Sequence, residues 1–306
     1  MNSKIFTRLL FFLMSFIFML VGLIQPLQGD AATSTQVYHS GKTAARHAIP
    51  ANPTTNLAYH GGPVMVGTVT TYAIFWEPPG WYVSPHYNSL ILQYFNDVGG
   101  TPLYHNLEQY SNSHGTHPVT SVLGGSWVDT RPYPTNNNEL QETDIQNEVT
   151  HAMQVNNWSP SIHKMFFVFS AKGKIMCSNA SNYGCTFVDD LCAWHNYMGT
   201  NTIYAAMPYT GTDLSLCGVP HSPNHDFDAD GTINLITHEQ MEAETDPLYT
   251  GWYATTDPYH SEIGDECTWH FGQLNKYGGD VVWHGDPYEV QQEWDNAQSA
   301  CVLKGP

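Results

Sequence analysis

The chain reads as an α+β protein: a single mixed-sheet domain with packed helices, a zincin-like metal helix and a disulfide-stabilised C-terminal half. Three observations carry that reading. Short apolar runs rich in β-branched and aromatic residues are interleaved with segments of helical periodicity, the pattern of a sheet covered by helices. All six cysteines lie beyond residue 176, so cross-links gather in the second half. Near residue 240, His and Glu recur at one-turn spacing in a chain otherwise poor in charge, at 12% Asp, Glu, Lys and Arg.

At the N-terminus, Lys4 and Arg8 precede an apolar run from Leu9 to Ile24, and small residues follow near Gly29–Ala32. Residues 1–31 are therefore expected to be a signal peptide cleaved after Ala31. An uncleaved anchor is the alternative, and the run falls just short of the ~20 residues a membrane span needs. Residues 32–57 are polar and lack periodicity, so they read as a flexible linker or pro-segment. The folded domain is placed at 58–306.

Val64–Val69 and Thr71–Trp76 are expected to be two strands joined by a turn. Leu90, Ile91, Tyr94 and Phe95 fall at helical spacing between His86 and Val98, with Gly99–Gly100 as the stop. A second helix is predicted over Glu142–Val155, with Ile145, Val149 and Met153 on one face. Lys164–Ser170 is a continuous apolar run, best read as a buried central strand. Residues 175–220 read as loop-rich with one strand at Thr202–Met207. A helix is then predicted from Thr232 to Glu244, stopped at Asp246–Pro247.

The net charge is −18, with only ten Lys and Arg. That balance disfavours nucleic acid and anionic membranes as partners and suits divalent cations. Six cysteines without any CxxC spacing fit an oxidising, extracellular destination rather than a thiolate zinc ribbon. Short loops favour Cys177–Cys185 and Cys192–Cys217, which leaves Cys267 to Cys301.

The chemistry concentrates in THEQMEAETDPLYTGWY (237–253) and EIGDEC (262–267). On a helix, His238 and Glu242 share one face about one turn apart. Glu239 sits beside the His, as the general base does in HExxH zinc enzymes. A hydrolytic zinc site needs about three protein ligands and an open position for water. Glu262 is the expected third ligand. Asp265 can replace it or orient His238. The competing expectation is a solvated acidic helix on which His238 is incidental.

Asp226, Asp228, Asp230 and Gly231 spell the opening of a calcium loop, but its twelfth position is Thr237 rather than Glu. Calcium is therefore the weaker expectation, and a turn with Asp230 or Thr232 capping the metal helix the plainer one. His114 and His117, and His221 and His225, are further candidate ligands. No nucleophile elbow, P-loop or dinucleotide fingerprint appears.

LAYHGGPVMVG, YAIFW, YFNDVGGTPLYHNLEQY, the DADGTINLITHEQMEAETDPLYTGWY block with EIGDEC, and VQQEWDNAQSACV together resemble the Exordium, or phosphate-induced protein 1, family of secreted proteins. The resemblance marks His238, Glu239, Glu242, Thr245, Asp246, Pro247, Trp252, Glu262, Gly264, Asp265 and Cys267. It implies a secreted, extracellular protein, in plants one of the cell wall associated with growth and nutrient status. It implies no settled activity. Gln240 departs from the aliphatic residue usual in the family, which suggests a more exposed helix.

Two function classes follow. One is a secreted zinc metallohydrolase acting on an extracellular peptide, with Glu239 activating water and Tyr249, Tyr253 or His260 steadying the oxyanion. The other is a non-catalytic extracellular or cell-wall-associated protein with a structural metal or none. Ligation by all of His238, Glu242, Glu262 and Asp265 would close the site and favour the second.

Overall fold

The computed structural model describes residues 56–134, 137–179, 184–189, 191–255 and 262–306. The expected signal peptide, nearly all of the expected linker, and His260 lie outside the described residues. The elements run β1 (Ala58–Tyr59), β2 (Gly67–Trp76), α1 (Tyr87–Asp97), β3 (Pro118–Asp129), β4 (Glu139–Gln141), α2 (Glu142–Asn156), β5 (Lys164–Ser170) and β6 (Ile175–Cys177). There follow β7 (Trp194–Met198), β8 (Thr202–Met207), α3 (Phe227–Thr245) and β9 (Trp252–Tyr253), then two small C-terminal antiparallel pairs.

Five strands form the central sheet in the order β3-β2-β5-β8-β7. The first four are mutually parallel, and β7 closes one edge antiparallel to β8. This is the expected α+β architecture with a mixed sheet. Strand alternation divides the core in two. Val69, Ala73, Phe75, Met165, Phe167, Phe169, Ala205 and Met207 face one side with α1 and α3. Tyr72, Ile74, Trp76, Phe166, Val168, Tyr204 and Ala206 face the other with α2. Both faces are covered, which is why β5 and β8 read as unbroken apolar runs.

The two strands expected between Val64 and Trp76 are one, β2. Gly67 adopts φ +68° at its first residue, so the chain bends there and Val64–Val66 lie outside the strand, with Met65 N–H donating to Glu244 O at 3.0 Å and Val66 N–H to His163 Nδ1 at 3.1 Å. Helices α1 and α2 fall where periodicity places them. Asn157, in the left-handed region at φ 55°, ends α2. Leu57 is buried, and Asn296 Oδ1 accepts from its backbone N–H at 2.8 Å, so the packed chain begins before residue 58.

Helix α3 starts at Phe227, five residues before the expected Thr232. Asp226 caps it by accepting from Ala229 N–H at 3.1 Å, and Asp228 and Asp230 stand in its first turn, where carboxylates favour the positive end of the helix dipole. The expected DADG turn is thus helix. Its carboxylates serve separate partners: Asp228 accepts from Tyr209 Oη at 2.6 Å, and Asp230 from Ser222 Oγ at 2.6 Å and Asn224 Nδ2 at 2.7 Å.

The six cysteines pair as Cys177–Cys185, Cys192–Cys217 and Cys267–Cys301. The last ties the EIGDEC segment to the C-terminal β-hairpin. Replacing Cys267 and Cys301 together with Ala is expected to lower stability by about 2–4 kcal/mol, read from urea unfolding against the parent protein.

Candidate metal centre

Every residue of α3 from Ala229 to Thr245 is buried, although the stretch holds Asp, Asn, His, Gln and three Glu. The solvated acidic helix is thereby excluded. Gln240, expected to mark exposure, is 0% exposed, and its Nε2 donates to Glu244 Oε1 at 2.8 Å. A helix can be enclosed on all sides because the sheet covers one flank, α1 another, and the C-terminal chain passes behind it. Gln291 N–H donates to Asn234 Oδ1 at 2.7 Å, and Trp294 N–H to Ile263 O at 3.0 Å.

Within this enclosure the expected residues come together. His238 Nε2 lies 3.0 Å from Glu242 Oε1 and 3.7 Å from Asp265 Oδ1. Asp265 N–H donates to the same Glu242 Oε1 at 3.1 Å, and Glu262 N–H to Asp265 Oδ2 at 3.2 Å, which folds the 262–267 segment onto the helix. Gly264 is required at this contact, since a Cβ there would stand 2.7 Å from His238 Nδ1 and 3.0 Å from Glu242 Oε1. Gln291 Nε2 sits 2.9 Å from His238 Nδ1 and donates to Gly264 O at 3.0 Å. For His238 to offer a lone pair at Nε2, its proton must move to Nδ1.

The structure adds a residue that sequence reading missed. His195, on the antiparallel edge strand β7, is buried with Nδ1 3.2 Å from Glu239 Oε2 and 3.7 Å from Glu242 Oε2, and Nε2 4.0 Å from Glu262 Oε2. Alternation explains its aim: Trp194 packs on the α2 side, so its neighbour faces α3. The hairpin from AWHNYM to TIYAAM was the available signal, because antiparallel pairing sets His195 opposite Ala205. The Tyr249 hydroxyl donates to His195 O and thereby fixes the strand against the end of α3.

Other candidates stand apart. His117 Nδ1 contacts Pro118 O at 2.8 Å, His221 Nδ1 lies 2.9 Å from Glu289 Oε1, and the Tyr253 ring stacks on His60. A surface cavity of about 360 Å³ opens beside Trp76, Arg131 and Glu148 and includes none of the cluster.

The cluster is electrostatically loaded. Among the described residues no Lys or Arg forms an ion pair with its carboxylates, whose basic neighbours are the two imidazoles. Burial pushes Glu239 up to about 7, against the pull of His238. Burial first, then the Glu242 carboxylate, raises both Glu262 and Asp265. Burial takes His195 down to about 4, whereas around His238 the carboxylates of Glu242, Glu239 and Asp265 outweigh burial and hold it well above the usual imidazole range. Two triads, His195–Glu242–Glu262 and His238–Glu242–Asp265, each keep their ligand atoms within 4.8 Å of one another.

Fold and cluster define a disulfide-bonded α+β protein with a buried His–carboxylate centre. Residues 57–286 match the phosphate-induced protein 1 conserved region, and the chain belongs to that family. It is 25% identical to Protein EXORDIUM-like 3 of Arabidopsis thaliana over 288 residues, covering 80% of this chain and 82% of the relative. It is 24% identical to Protein EXORDIUM-like 5 of the same plant over 250 residues, covering 71% of this chain and 65% of the relative. No solved structure matches. The three disulfides and these relatives fit an extracellular protein, and among the described residues no helix is long and apolar enough to cross a membrane.

The raised carboxylates set a pH dependence. Glu239 at about 7, and Glu244 and Asp246 at about 8, keep protons in the folded state that the unfolded chain has already released. Stability is therefore lost as pH rises through those values. His195 acts in the opposite sense, but its window lies below the ordinary imidazole value. In chelator the protein is expected to melt at a lower temperature at about pH 8.5 than at about pH 6.5, measured by calorimetry.

Proposed function

We propose that this protein is an extracellular Exordium-family member that binds a divalent cation, zinc first, in the enclosed His–carboxylate centre. The cation ties sheet edge, helix α3 and the disulfide-anchored 262–267 segment together. One observation carries the reading. Glu262 is 0% exposed, and neither carboxylate oxygen has a hydrogen-bond partner among the described residues, while His195 and Glu242 face it. Ionising a carboxyl so enclosed costs several kcal/mol, and a metal ion bound there would offset that cost directly. The spacings agree: ligand atoms around a tetrahedral zinc stand roughly 3.4 Å apart for bonds of about 2.1 Å, and those around His238 lie at 3.0 and 3.7 Å. The enclosure of His195, His238, Glu242 and Glu262 supports a structural role, and the partner class proposed is a cell-wall component.

Zinc-dependent hydrolysis of an extracellular peptide is the second reading, favoured by Glu239. Its carboxylate adjoins His238 in sequence, and burial poises it at about 7, where a general base works best. A bound zinc would supply an acidified water and a polarised carbonyl. In the structural reading Glu239 instead accepts from the His195 ring N–H and orients it.

Elemental mass spectrometry on the purified protein is expected to find zinc, at one or more ions per chain, with a clear loss in His238→Ala. Absence of any metal after zinc reconstitution would end the metal reading. Glu239→Gln decides between the roles: the hydrolase reading requires retained metal and a fall in peptide turnover of about 100-fold or more. Turnover left intact by that change rejects Glu239 as base.

A further inference from the structure

We propose that the centre holds two divalent cations bridged by the Glu242 carboxylate, an inference that rests on the metal reading above. The two oxygens of Glu242 face different imidazole rings: Oε1 lies 3.0 Å from His238 Nε2, and Oε2 faces the His195 ring, 3.7 Å from its Nδ1. Each half of the centre has the same composition. His238 and Asp265 stand on the Oε1 side, His195 and Glu262 make up the second triad, and Glu242 belongs to both. A carboxylate shared in this way sets two ions about 3.5–4 Å apart, the spacing of two-metal sites. His195 keeps Nδ1 against Glu239 Oε2 while Nε2 points to Glu262. One ring nitrogen is thus oriented by a carboxylate and the other turned toward the ligand set, the usual arrangement of a metal-bound imidazole.

Charge argues the same way. Glu239, Glu242, Glu262 and Asp265 bring four carboxyl groups into a space with no Lys or Arg partner among the described residues, and once deprotonated around a cation they would carry four negative charges. One divalent ion leaves half of that charge without a metal counterion; two neutralise it. Glu242 also stands in the last turn of α3, where the helix dipole opposes a carboxylate and the argument for cations on both its oxygens is strongest. One imidazole with two carboxylates per ion suits zinc or manganese better than a thiolate-loving metal.

The test is stoichiometry. The full chain is stripped with chelator, reloaded with zinc alone and weighed by native mass spectrometry beside elemental analysis. Two ions per chain are expected, falling to one in His195→Ala, one in His238→Ala and none in Glu242→Ala. A single ion at saturation overturns the bridged pair and leaves the metal reading standing; no ion overturns both. The unmodified protein loaded with two equivalents of manganese gives a check that needs no variant to fold. A magnetically coupled pair in the electron paramagnetic resonance spectrum is the expected result, and an isolated-ion spectrum rejects the proposal.

Discussion

Taking the carboxylates of Glu239, Glu242 and Glu262 out of water costs several kcal/mol each unless something replaces the lost hydration, and the architecture around α3 answers that cost. A domain of this kind is held by only about 5–15 kcal/mol in total, so a few uncompensated charges would unfold it. Much of the helix is compensated by the protein itself. Glu244 receives the Tyr104 hydroxyl and the Gln240 amide, and Asp246 Oδ1 accepts from Thr250 and Gly251 N–H at 2.6 Å each. Thr237 and Thr245 return their hydroxyls to the helix backbone. Such hydrogen-bonded solutions are incomplete at the face carrying His238, Glu239 and Glu242. There the partners come from other parts of the fold.

That division gives the sheet topology its significance. Had β7 joined parallel, the chain would have required a long crossover to return to β8. An antiparallel edge strand allows a tight hairpin instead and brings His195 beside α3 within a few residues of the turn. On the opposite side, Gly264 lets the 262–267 segment press against the His238 ring, and Gln291 holds that contact from behind. The Cys267–Cys301 bridge keeps the segment there. The centre is therefore assembled from one edge strand, one helix and one cross-linked loop.

The parts legible in the sequence were those whose signal is local. Helices α1 and α2 and strands β5 and β8 follow from periodicity and apolar runs, two of the disulfides from short loop lengths and the third as the pair that remains. His238 and Glu242 are recognisable by one-turn spacing, and Glu262 and Asp265 by distance and acidity. His195 was not, because a single imidazole in a loop-rich region carries no spacing of its own; it gains meaning only when β7 pairs with β8. Gln240 misled for a related reason. A polar residue in a helix ordinarily signals solvent, whereas here Glu244 on the next turn meets its amide inside the core. The start of α3 was misplaced because Asp226, Asp228 and Asp230 resemble a loop motif, and their competing role as cap and first-turn carboxylates depends on Tyr209, Ser222 and Asn224.

Complete enclosure of α3 has a kinetic side. With the residues from Ala229 to Thr245 buried, nothing dissolved in the surrounding medium meets His238 or Glu242 without a local opening of the fold. Entry and escape of any small species are then governed by how often β7 or the 262–267 segment lifts away rather than by affinity alone. The disulfide at Cys267 restricts one of those two doors. Any species held at that face would be retained for as long as the fold around it stays closed.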